Sequence, residues 1–147
     1  MKATLCAILL LALPSSLLAQ ADPADEATAV FDSFLTSLTN VDLDAVVDLF
    51  WEDALFWGTG SQSLVESPAG VRQYFSAISD QEPGQTIASA LDYSVKVMSE
   101  SMVLVSGMWE VTPAGNSTGT PLRVSMVLSL RDGQWKILQF HNSNVPG

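Results

Sequence analysis

Few side chains in this chain could do acid–base or ion-pairing chemistry. His141 is the only histidine, close to the C-terminus and followed by Asn142 and Ser143. An imidazole titrates near neutrality, so His141 is the candidate catalytic acid or base, able to exchange a proton with a small ligand. A half-buried imidazole held by Ser143 or a backbone group would account for it equally. Arg123 lies in the middle of a strand-like run, a position that only Lys96 shares among the cations. Facing a concave site, its guanidinium would hold a carboxylate bidentately. Exposed, it would pair with Glu110 or Asp92. A carboxylate base would have to come from Asp92, Glu110 or Asp53, and none of these sits in a catalytic motif. The chain has no Gly-rich phosphate loop and no nucleophile elbow. With one histidine, and with Cys6 as the only cysteine, no His/Cys metal site is expected, and no cofactor.

These side chains need a scaffold, and the bulk composition bounds it. The chain has 147 residues, with 16 acidic and 6 basic. Lys2, the apolar run LCAILLLALP and the small residues SSLLAQA read as a leader with an Ala-x-Ala exit at Ala19 and Ala21. That apolar run is short of the ~20 residues a membrane-spanning helix needs. Export to the periplasm or the medium is expected, with one domain of residues 22–147 left after the leader Met1–Ala21 is cleaved. Without Lys2 that domain carries a net charge of −11. Such a field repels phosphate backbones and anionic lipid surfaces, so neither nucleic acid nor a membrane is an expected partner. Cys6 leaves with the leader, so stability must come from burial rather than disulfides.

Ala27, Val30, Phe31, Phe34, Leu35 and Leu38 recur at steps of three and four, which predicts a helix over Asp25 to Thr39. Asp42 caps a second helix whose apolar face runs from Leu43 to Phe50 and which ends at Glu52 and Asp53. Ala54 to Trp57 reads as a short strand. Ser67-Pro68 starts a third helix with the stripe Val71, Tyr74, Phe75 and Ile78. Four β-type runs follow: Thr86 to Met98, Met102 to Thr112, Pro121 to Arg131 and Trp135 to His141. Asp132-Gly133 is a hairpin turn between the last two. The order gives an α+β fold, with the helices packed on one face of a bent antiparallel sheet. Val103, Val105, Trp109 and Val111 alternate with Met102, Leu104 and Met108, so that strand is apolar on both faces. A sheet wet on one side alternates more cleanly. Another subunit or a pocket is expected to cover part of that second face, and a subunit there would make a homodimer.

The ending WKILQFHNSNVP, after Asp132-Gly133, resembles the association domain of calcium/calmodulin-dependent protein kinase II, through Trp135, His141, Ser143 and Pro146. DALFWGT, Asp53 to Thr59, followed by SPAGVRQYF, Ser67 to Phe75, is similar to the SnoaL-like proteins grouped as the SgcJ/EcaC family. Both belong to the nuclear transport factor 2-like superfamily, and the resemblance spans Asp25 to Pro146. It implies a cone-shaped barrel: a bent sheet wrapped around three N-terminal helices, with a pocket at the open end. It also implies that Trp57, Thr59, Tyr74, Arg123, His141 and Asn142 line that pocket. The ligand would be a small organic molecule, acidic if Arg123 faces it. Superfamily members range from cofactor-free isomerases and cyclases to non-catalytic assembly domains, so the fold leaves the activity open.

Overall fold

The structure is a computed structural model and describes residues 21–147. All of the expected leader except Ala21 lies outside the described residues. No helix among the described residues is long and apolar enough to cross a membrane.

Helix α1 (Pro23–Thr39) begins where Asp22 caps it: the Asp22 carboxylate accepts from the Ala24 amide at 2.9 Å, and Pro23 occupies the first turn. All six apolar residues of its stripe are buried. The helix ends in a Schellman motif, in which the amide of Asp42 donates to Ser37 O (2.9 Å) and that of Val41 to Leu38 O (3.1 Å). Val41 takes the left-handed position, at φ 57°. Asp42 then caps α2 (Leu43–Asp48), accepting from the Ala45 amide at 2.9 Å. Ser67 caps α3 (Pro68–Phe75) in the same way through the Gly70 amide, and a single 3-10 turn, Ser76–Ile78, follows.

Five strands form one open sheet: β1 (Phe50–Trp57), β2 (Thr86–Ser99), β3 (Met102–Pro113), β4 (Thr120–Arg131) and β5 (Gln134–Asn144), in the order β1-β5-β4-β3-β2. The last four strands are the expected antiparallel meander. The β4–β5 turn has Asp132 and Gly133 at φ 50° and 76°, both positive as a type I′ hairpin requires.

Two features depart from the sequence reading. The sheet does not close into a barrel, since β1 and β2 remain edges. And β1 starts at Phe50 rather than Ala54, pairing parallel with β5. The cause lies far along the chain. The Ile137 amide donates to Leu49 O at 2.8 Å, and this pairing draws Phe50 to Asp53 out of the helical pattern their apolar spacing suggested. Asp53 is therefore a strand residue. It accepts a hydrogen bond from Arg131 at 2.8 Å, which holds its carboxyl below the usual carboxylate range.

The core lies between α1 and the concave face of the sheet. Phe31, Phe34, Phe56, Phe140, Met126, Leu128 and Ile137 are fully buried there. Phe56 stacks on Phe140 with centroids 5.2 Å apart, and Phe34 meets Phe75, Trp109 and Phe140. Bulges bend the strands around this core. In β2 the extra residues are Leu91 and Met98; in β5 it is Leu138, opposite the step from Val127 to Leu128.

Candidate functional site

The bent sheet and the helices leave a cavity of about 440 Å³ beside the core. Its helical wall is Leu38 at the end of α1, with Tyr74, Phe75 and Ile78. Its sheet wall is Ala88 on β2, Trp109 and Val111 on β3, Leu122 on β4 and Asn142 on β5. Thr39 ties the two walls together. Its hydroxyl accepts from the Ala88 amide (3.0 Å), and its carbonyl accepts from the Gly84 amide (2.8 Å).

The lining is mostly apolar, and its polar members are Thr59, Tyr74, Gln81, Thr86 and Asn142. Two of them belong to one hydrogen-bonded chain. Trp109 Nε1 donates to Asn142 Oδ1 at 2.9 Å, and Asn142 Nδ2 donates to Thr59 Oγ1 at 2.7 Å. Because an indole nitrogen can only donate, this contact fixes which end of the Asn142 amide faces Trp109. Asn142 is one of the two buried polar residues among the described residues. Tyr74 is set by close packing. Its ring meets Phe56 and Phe75 edge-on at 4.8 and 5.0 Å and lies against the backbone of Gly58.

The six residues expected to line the pocket divide evenly. Thr59, Tyr74 and Asn142 converge on the cavity. Trp57, Arg123 and His141 are exposed on the opposite face of the sheet, and the placement expected for them in the pocket is corrected accordingly. They are neighbours there. Trp57 pairs in register with His141, and Arg123 pairs with Ser143, two residues along β5.

Arg123 and Trp57 face outward by plain alternation with buried Leu122, Val124 and Phe56, and for His141 the bulge at Leu138 is the reason. Strict alternation from buried Ile137 would turn Gln139 and His141 inward. The extra residue shifts the parity, so Phe140 and Asn142 point in and His141 points out. Arg123 does not make the ion pair with Glu110 or Asp92 considered from the sequence. Among the described residues the ion pairs are Arg72–Asp44, Arg131–Asp53 and Lys136–Asp48. No group of three His, Cys, Asp or Glu side chains converges as metal ligands would, again among the described residues.

Trp109 is the site residue that sequence reasoning missed. Its face was legible, since it alternates in phase with Val103 and Val105. Its hydrogen bond to a side chain 33 residues away was not.

Residues 27–146 match the family model described as the SnoaL-like domain. The chain belongs to the SnoaL-like family. No curated protein matches it. Among solved structures it is similar to a chain from Xanthomonas campestris named as a candidate calcium/calmodulin dependent protein kinase II association domain. The two share 22% identity over 95% of this chain and 99% of that one, with a TM-score of 0.74. A nuclear transport factor 2-like protein of unknown function from Pseudomonas putida aligns at 11% identity over 82% of this chain and 84% of its own, with a TM-score of 0.72. A Nostoc punctiforme protein with a cystatin-like fold aligns at 15% identity over 83% and 90%, with a TM-score of 0.71. At these identities the likeness establishes the fold, a mixed α+β cone with an open five-stranded sheet.

Proposed function

We propose that this SnoaL-like domain is an exported, homodimeric binding protein for a small, largely apolar organic molecule held in the cavity between α3 and the concave sheet. The observation that carries the reading is the cavity itself. Its volume of about 440 Å³ and its apolar walls around one fixed polar corner fit the usual form of a small-molecule site. Binding is favoured over acid–base catalysis because the side chains facing the cavity include no carboxylate and no imidazole to take a proton.

The dimer rests on the outer sheet face. Leu104, Met108 and Val127 form an apolar strip there, with Trp57 and Leu55 exposed at the β1 edge. Arg123 and Lys96 share that face with Asp92 and Glu110, so a two-fold axis can set cations of one copy against carboxylates of the other. Light scattering of residues 22–147 should give twice the chain mass, and Arg123→Glu should lower it. A monomer mass at tens of micromolar would remove the dimer. Export follows from the leader; mass spectrometry of protein secreted from the full chain should find Asp22 as the first residue.

N-phenyl-1-naphthylamine, an uncharged apolar dye, tests the cavity directly. It should bind one per chain with a rise in fluorescence, and Ala88→Phe, which fills the cavity from β2, should weaken it at least about tenfold. Dye binding unaffected by Ala88→Phe would refute the cavity as the site.

A further inference from the structure

We infer that the cavity selects uncharged molecules bearing an acceptor oxygen of the ketone or ester type, gripped by the Thr59 hydroxyl and the Asn142 amide. This rests on the cavity reading above and goes further by naming the ligand's chemistry. The argument starts at Trp109, whose indole can only donate and takes up the Asn142 oxygen. One Asn142 amide hydrogen goes to Thr59 Oγ1, which leaves the other free. Thr59, having accepted, keeps its own hydrogen to donate. The polar corner thus offers an O–H and an N–H, while the indole of Trp109 already occupies one lone pair of the Asn142 oxygen. The bonds run in one direction, from Trp109 through Asn142 to Thr59. Each polarises the next, and the terminal hydroxyl becomes a better donor.

Charge narrows the class further. The lining has no Lys, Arg or His to offset an anion, and no Asp or Glu to offset an ammonium group. An ion entering this cavity would lose its hydration to apolar walls and neutral dipoles, which is costly. The net charge of the protein disfavours an anion further. Arg123, the group that would have argued for an acidic ligand, lies on the other face of the sheet.

Three isosteric probes test this by displacement of N-phenyl-1-naphthylamine at neutral pH: 2-acetylnaphthalene, 2-isopropenylnaphthalene and 2-naphthoate. The ketone should bind about tenfold tighter than the hydrocarbon, and the carboxylate weakest of the three. Thr59→Val should bring the ketone close to the hydrocarbon, and Thr59→Ser should restore the difference. Equal binding of ketone and hydrocarbon, tightest binding by the carboxylate, or a preference that survives Thr59→Val would each overturn the inference. If none of the three displaces a dye that does bind, the inference falls and the cavity reading stands. If the dye itself does not bind, both fall.

Discussion

Replacing Gly58 by alanine should destabilise the protein by about 1–3 kcal/mol, the usual cost of overpacking. The same replacement should cost nothing once Tyr74 is truncated. A Cβ built on Gly58 would lie 2.1 Å from Tyr74 Cζ and 2.2 Å from Cε2, far inside contact distance. Phe56 and Phe75 meet the ring on other sides, so it can give way only into the cavity it lines, losing both edge-on contacts. Gly58 is not among the residues with positive φ, so alanine meets no backbone penalty and the clash alone sets the sign. In a Tyr74→Ala background the clash partner is gone. What remains is the lower entropy of the unfolded chain, which favours alanine over glycine by about 0.4–1 kcal/mol.

Urea unfolding followed by far-UV circular dichroism on the four corners of this cycle measures the coupling, expected at about 1.5–4 kcal/mol. Gly107 is the control. A Cβ there would meet backbone, Asp92 O at 2.3 Å and Tyr93 Cα at 2.4 Å. Gly107→Ala should therefore stay destabilising in a Tyr93→Ala background. Additive effects at Gly58 and Tyr74 would refute the packing argument, and with it the claim that Gly58 sets the Tyr74 wall of the cavity.

Three further outcomes are expected. Val41→Gly should raise stability by about 0.5–1 kcal/mol in chemical denaturation, because a β-branched residue holds the left-handed position of the Schellman motif at φ 57°. Asn142→Leu should leave the buried Trp109 N–H unpaired at a cost of about 1–3 kcal/mol. Combined with Trp109→Phe it should cost less than the two singles added, which a double-mutant cycle reads directly. The Arg131 hydrogen bond, followed by its charge, lowers the Asp53 carboxyl. Its contribution is therefore present above the unfolded carboxylate range and lost as the pH falls through the lower folded value. Asp53→Asn should flatten the acid limb of stability against pH, and molar salt should shrink the difference because the pair is exposed.

How much of this was legible in the sequence depended on how local the deciding interaction is. The α1 stripe, the caps at Asp42 and Ser67 and the Asp132-Gly133 turn are each decided within a few residues, and each appears in the structure as read. The first half of β1 is different. Phe50 to Asp53 carry a helix-compatible pattern, and it is the pairing of Phe50 with Ile137 on β5, more than 80 residues on, that starts the strand there. The site turned on the same kind of distant information, a single residue in the register. Alternation along a strand tells which residues share a face, but one bulge reverses every assignment beyond it. Leu138 is that residue, inserted where Val127 and Leu128 pair with Gln139 and Ile137. No composition cue marks it, since Leu138 is as apolar as the strand positions around it. It turns the chain's one imidazole out of the cavity and an amide in. The cavity is thereby lined by the neutral amide of Asn142 where the sequence had suggested a titrating group.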